Sequence, residues 1–418
     1  MMPVEKLISA VTINQMKKYV KILIALIGVL GILLLFNRCK IARLQFAMNM
    51  FSGKEQVERF RSIEDYFPTR EIMPSNNPVS IPKKQSISLP SNYIFNGKSS
   101  KTEKLIQETD ITGLMVIKND TILFEKYYQE NTAKDHTIGW SVTKSFVSAL
   151  VGIALEEGHI KSINDSVYKY VPELKGTAYE HVTIKNLLQM SSGVSWNEDY
   201  SDRDSDINRF GRTLALGRSF ESFVKTLKYD RPQGTFNRYN SSDTQVLGML
   251  ISRATSTTVS DYLQKKLWQP LGMEQKGYWV IDNQGNEFAA AGLSASLVDY
   301  AKFGLLFLHQ GKWNNKQILP KEWVTKSVTP DAPHLFPGEN KNSNNDFGYG
   351  YQWWVFDGTE GEYAAMGIYN QLIYINPKRN IIIVKSAANN SYGTTNDESS
   401  FREKESMALL RTIVNSID

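Results

Sequence analysis

The chain has 418 residues, with 48 Lys plus Arg against 43 Asp plus Glu, a formal charge of +5, 41% hydrophobic and 11% aromatic residues. That composition excludes a wholly disordered chain, and so small a charge excess on this length leaves no electrostatic footprint for nucleic acid. A single cysteine, Cys39, excludes an internal disulfide framework and a cysteine-based zinc site. The five histidines, at 136, 159, 181, 309 and 334, form neither an HExxH motif nor a close pair, which argues against a histidine-based metal centre.

Residues 1–18 read as a short N-terminal segment. After them, Ile22 to Phe36, ILIALIGVLGILLLF, gives 15 consecutive apolar or glycine residues. Tyr19, Val20 and the aliphatic stem of Lys21 extend the run to about 18, near the length that crosses a bilayer. Lysines 17, 18 and 21 precede it and Arg38, Lys40 and Arg43 follow it, so flanking charge does not orient it. A cleaved signal peptide needs small residues at its cleavage site, and Phe36-Asn37-Arg38-Cys39 lacks them. Residues 19–37 are therefore expected to be an uncleaved transmembrane signal-anchor. The expected location is the cell membrane, single-pass, with the bulk of the chain extracytoplasmic (periplasmic or cell surface).

Residues 38–104 read as a connector. IARLQFAMNMF can continue as an amphipathic helix; PTREIMPSNNPVSIPKKQSISLPSN holds five prolines, many Ser and Asn, and no sustained period, which predicts an extended segment. The main domain is expected over 105–418. It opens with two β-rich runs, ITGLMVIKND and TILFEKYYQE, joined at Asn119-Asp120, a hairpin signal. QLIYINPKRNIIIVKSAAN predicts strands at 371–376 and 381–387, and FREKESMALLRTIVNSI a helix packed on the sheet. Terminal hairpins with helical stretches between them predict an α+β fold: an antiparallel sheet flanked by helices, with a mostly helical subdomain.

One helix is unusual. Ser141 to Glu157, SVTKSFVSALVGIALEE, is apolar on nearly all sides beyond its first turn and stops at Gly158, which predicts a buried central helix. Ser141 and Lys144 share a face one turn apart at its start. Burial and the positive end of the helix dipole both disfavour the charged amine. A neutral Lys144 can take the Ser141 proton, so that the oxygen attacks a carbonyl, and the Ser141 amide is an orphan donor suited to an oxyanion. Such a pair is short enough to arise by chance, the bland alternative being a capping serine beside a surface lysine. Tyr239-Asn240-Ser241 precedes a second helical run, and a phenol there could act as phenolate or proton relay. Ala365-Met366-Gly367-Ile368 precedes a strand, where glycine permits close backbone approach and the Ile368 amide could be a second oxyanion donor. No G-x-S-x-G occurs, which argues against a nucleophile-elbow hydrolase.

Taken in order, these elements resemble the serine β-lactamase and penicillin-binding superfamily, in its class C-like branch of esterases and 6-aminohexanoate-oligomer (nylon-oligomer) hydrolases. The resemblance spans roughly 105–415 and rests on GLMVIKNDTILFEKYY, WSVTKSF, VTIKNLLQMSSGVSWNED, LWQPLGM, GLSASLVDYAKFGLLFLHQGKW, FGYGYQWW and AAMGIYNQLIYINP. It implies a β-lactamase/transpeptidase-like fold and a serine hydrolase. Ser141 would be the acylated nucleophile, Lys144 its base, Tyr239 the general acid/base, and the Ser141 and Ile368 amides the oxyanion hole. Ser241 would support the site, and Trp196, Asp199, Tyr200 and Tyr369 would line the substrate pocket. No metal or organic cofactor is implied. The expected partners are a small-molecule amide, ester or peptide substrate, and the membrane through the N-terminal helix.

Two departures bear on substrate. The family's third motif begins with Lys or His, and here that place is Ala365; its cation would bind a substrate carboxylate, a contact worth about 1.5–3 kcal/mol. Ser241 stands where β-lactamases of this class carry Asn, which is closer to the nylon-oligomer branch. The alternatives are a penicillin-binding-type D-Ala carboxypeptidase or β-lactamase, and a non-catalytic envelope sensor of the same fold.

Overall fold

The computed structural model describes residues 4–53 and 55–417. The chain divides into two compact units, one ending at Met48 and one beginning at Asn49.

In the first unit, helix α1 (Val4–Phe36) is continuous, so the segment expected over 1–18 and the apolar run form one helix; residues 1–3 lie outside the described residues. Gln15–Phe36 is long and apolar enough to cross a membrane by length and composition, which fits an export signal or a membrane anchor. Asn37 interrupts the helix, its side-chain amide donating to the Leu33 carbonyl at 2.8 Å, and α2 (Arg38–Asn49) follows.

The second unit begins with helix α3 (Gln56–Arg61) and strand β1 (Thr69–Ile72). Next come β2 (Ile111–Lys118), β3 (Thr121–Tyr127), α4 (Val142–Glu156), α5 (Ser241–Thr255), β4 (Gly277–Val280) and α6 (Leu297–Leu308). The chain then forms β5 (Gly348–Tyr349), β6 (Trp354–Val355), β7 (Tyr363–Gly367), β8 (Gln371–Asn376), β9 (Ile381–Ala387) and α7 (Glu403–Asn415).

The stretch expected to be a connector is part of this unit from Asn49 onward. β1 pairs antiparallel with β4, from Thr69 opposite Val280 to Ile72 opposite Gly277, and Ile72 is wholly buried. A strand whose partner lies some two hundred residues away, preceding a proline-rich run, leaves no local period to read. The boundary drawn at 105 falls inside a short helix, Thr102–Glu108.

The main sheet is antiparallel in the order β5–β6–β7–β8–β9–β2–β3. Asn119 and Asp120 join β2 to β3 with φ of 48° and 59°, the left-handed pair that matches strand twist in a two-residue hairpin. β8 and β9 are buried along their whole length, because both sheet faces are covered. On one face Met407, Leu410, Ile413 and Val414 of α7 meet Leu114, Leu372, Tyr374 and Ile383. On the other, α6 approaches closely: a Cβ at Gly304 would lie 2.8 Å from the Ile373 side chain. Helix α4 runs between the sheet and α5, with every residue from Val142 to Ala154 buried. Phe146 stacks on Phe303 of α6 at 3.7 Å between ring centroids. Each such ring contributes about 1.5–3 kcal/mol by leaving water, which fixes the helix and therefore whatever stands at its N-terminus.

Candidate active site

Ser141 occupies the N-cap position of α4 and is 8% exposed, yet its hydroxyl makes no capping hydrogen bond. It accepts instead from Lys144 Nζ at 2.8 Å. The amine also donates to the Ala290 carbonyl at 2.7 Å, which fixes its position from the far side. Lys144 is 1% exposed. Burial pushes its ammonium down to about 8, with Glu198 opposing the shift, and the positive end of α4 acts in the same sense as burial. The charged neighbour felt by the amine is thus an anion.

Tyr239 lies just before α5, its ring 5.1 Å from Lys144 Nζ. It stacks on Trp354 at 5.2 Å and meets Tyr349 edge-on at 6.2 Å. Burial, then the nearby Glu198 charge, hold the phenol far above its ordinary pKa, while the Ser141 hydroxyl works against them. The side chain is therefore a protonated phenol, and the relay role fits it better than a standing phenolate.

Glu198 gathers the surrounding loop. Its carboxylate accepts from the Tyr200 hydroxyl at 2.7 Å, the Ser241 hydroxyl at 2.7 Å, the Ser241 amide at 3.2 Å and the Trp196 ring N–H. Sequence reasoning chose Trp196, Asp199, Tyr200 and Ser241 but passed over the residue that three of them bind. The signal was present in Trp196-Asn197-Glu198-Asp199-Tyr200: a carboxylate between two aromatic donors. Trp196 is 5% exposed and packs edge-on against Phe210 and Phe223, so it is a packing residue as well as a wall of the cleft. Asp199 turns to its own loop, accepting from the Ser201 hydroxyl at 2.6 Å and amide at 2.8 Å; the hydroxyl bond is the largest influence holding its carboxyl below the usual range.

The end of β7 closes the other side. A Cβ at Gly367 would lie 2.4 Å from the Gly139 carbonyl oxygen and 3.1 Å from the Ser141 nitrogen. Only glycine lets the two backbones approach so closely, and this approach brings the Ile368 peptide beside Ser141. Ser141, Glu198, Tyr239, Trp354, Ile368 and Tyr392 line one cleft of roughly 780 Å³. Trp196, Asp199 and Tyr200 also border it; Tyr369 does not. At φ 61° Tyr369 turns its ring away from the cleft, where it is 7% exposed among Phe51, Phe60, Trp140 and Tyr392. Trp140, before Ser141, is also left-handed at φ 47°. A non-glycine residue in that region costs about 1–3 kcal/mol and persists only where packing enforces it. Ala365, standing where a cation was considered, is 1% exposed in the middle of β7.

Among solved structures, a candidate 6-aminohexanoate-dimer hydrolase from Bacillus anthracis superposes with a TM-score of 0.78 at 21% identity, covering 88% of this chain and 96% of that one. A class C beta-lactamase gives 0.54 at 18% identity, covering 76% and 94%. These likenesses establish the β-lactamase/transpeptidase-like fold. The 6-aminohexanoate-dimer hydrolase of Paenarthrobacter ureafaciens is 27% identical over 291 residues, 68% of this chain and 74% of its own length. With the Beta-lactamase family model matching residues 101–404, the chain belongs to the beta-lactamase family.

Proposed function

We propose that the chain is a serine hydrolase that cleaves an amide or ester through an acyl-enzyme on Ser141. The observation that carries this reading is the 2.8 Å contact between Lys144 Nζ and Ser141 Oγ, buried on the helix side and open to a cleft on the other. The neutral amine takes the Ser141 proton as Oγ bonds to the carbonyl carbon. The carbonyl oxygen becomes an anion between the amides of Ser141 and Ile368. As the intermediate collapses, the C–N or C–O bond breaks. The departing atom takes a proton from Tyr239, which recovers one from the Lys144 ammonium. Water then attacks the acyl carbon, yielding a proton along the same path, and Ser141 Oγ leaves reprotonated as the carboxylic acid departs.

The relative named for 6-aminohexanoate dimers supports a small amide or ester as substrate. Ala365 supplies no cation for a substrate carboxylate, which disfavours β-lactams and D-Ala-D-Ala termini. The apolar helix is proposed as a single-pass anchor with the hydrolase domain outside the cytoplasm. Intact-mass analysis after a fluorophosphonate or a p-nitrophenyl ester tests the chemistry. One adduct on the wild-type chain and none on Ser141→Ala is expected; no adduct on the wild type, or equal turnover by the variant, would remove the proposal. Protease added to cells stripped of outer layers should digest the domain, and full protection would reverse the orientation.

A further inference from the structure

The two peptides that carry the candidate oxyanion donors each adjoin a left-handed aromatic residue: Trp140 precedes Ser141 and Tyr369 follows Ile368. Their rings lie 5.7 Å apart. Of these two rings, Tyr392 packs on Tyr369 alone; the two rings that pack on both come from upstream of the family match, which begins at residue 101. Phe60 of α3, 1% exposed, meets Trp140 edge-on at 5.2 Å and Tyr369 at 5.0 Å. Phe51 stacks on Tyr369 at 5.5 Å with the ring planes 8° apart, and lies 5.6 Å from Trp140. Helix α3 is tied down by Gln56, wholly buried, whose side-chain amide donates to the Ala388 carbonyl just beyond β9. Phe51, Phe60, Trp140 and Tyr369 are absent from the cleft lining, so they act behind the site rather than on a substrate.

We infer that Phe51 and Phe60 are positioning residues for the oxyanion hole, acting through Trp140 and Tyr369. This rests on the acyl-enzyme reading above. The physical argument is one of tolerance: two strained peptides hold their N–H groups at a common point only while the aromatic wedge between them is complete. The segment following the apolar helix is then part of the catalytic architecture.

The test uses the full chain in detergent micelles, with wild type, Phe51→Ala, Phe60→Ala and Phe60→Leu. Each is given an activated oxoester and the matching thionoester. Sulfur is larger than oxygen and a poorer hydrogen-bond acceptor, so a well-formed hole favours the oxoester strongly, and a loosened one loses that preference. The expected result is a tenfold or greater fall in the oxoester-to-thionoester ratio for Phe60→Ala and a smaller fall for Phe51→Ala. Phe60→Leu should recover part of the ratio, with KM within about threefold of wild type throughout. Phe51 is 46% exposed, so its variant carries the test should Phe60→Ala fail to fold. An unchanged ratio in the folded variants would overturn the inference while leaving Ser141 acylation intact. A wild-type chain that never acylates on Ser141 overturns both.

Discussion

Lys144 is where the structure makes its most quantitative demand. Its ammonium is held down to about 8 from an ordinary 10.5. At pH 7 about one molecule in ten then carries the neutral amine, against roughly one in three thousand for an unperturbed lysine. kcat/KM should therefore rise about tenfold per pH unit below the transition and level off above about 8. The same displacement has a stability consequence. The folded group binds its proton less well than the unfolded one, so the penalty is fully present below the folded value. It fades as pH climbs toward the unfolded value. At 1.36 kcal/mol per pH unit the penalty is roughly 3 kcal/mol at pH 7 and about 1 kcal/mol at pH 10. Replacing Lys144 by Met keeps the stem and removes the charge, and the titrating groups that do not interact with Lys144 cancel in the comparison. The one charge it feels is that of Glu198, and carboxyl groups as a class titrate well below that interval. Wild type should thus gain roughly 2 kcal/mol relative to Lys144→Met between pH 7 and 10, read from urea unfolding at each pH. A difference that stays flat over that interval, or a rate profile without a limb near 8, would refute the account of a buried, proton-poor amine.

Other outcomes follow from the same geometry. Tyr239→Phe should slow amide turnover by about 10²–10⁴-fold while hydrolysing p-nitrophenyl esters far less impaired, because nitrophenolate departs without a proton; equal losses on both substrates would count against the relay. Glu198→Gln should fold normally, since its amide oxygen can face the Ser241 and Trp196 N–H groups while its NH₂ faces hydroxyls that rotate to accept. It removes the anion that steadies the Lys144 ammonium, so the rate limb should move to lower pH by roughly one unit; an unmoved limb would show the two are uncoupled. Gly152→Ala places a Cβ 2.5–2.6 Å from the Trp323 ring and should cost about 1–3 kcal/mol. It should leave kcat at 25 °C nearly unchanged, and denaturant unfolding beside a turnover assay checks both.

Legibility in the sequence followed the range of the interactions. β8 and β9 lie at the predicted 371–376 and 381–387, because both are bounded by chemistry within a few residues of their ends. Helix α4 was readable because burial on all sides demands an unbroken apolar composition. The Ser141–Lys144 contact was readable because one helical turn sets it. What escaped depended on contacts between distant segments. β1 takes its place only through β4, and Glu198 gains its donors from a loop and from a helix start more than forty residues on. Tyr369 was expected to be a wall of the pocket, and it lies outside the cleft lining. Two consecutive left-handed residues, Tyr369 and Asn370, reverse its direction, and the one local mark of that turn is the asparagine, a residue type that tolerates the conformation.

Glu198 joins a loop to the start of α5 through one carboxylate with four donors. The residues on either side of it, Asn197 and Asp199, are held without that carboxylate: the Asp199 amide donates to the Asn197 side-chain oxygen at 3.0 Å, and their other partners are Asp206, Asp202 and Ser201. The pin and this stretch of the rim are thus separate positions. Changes at 197 and 199 can alter which acyl groups enter while the phenol at 239 keeps its aim, so a library restricted to those two sites should yield folded proteins with redistributed selectivity at high frequency.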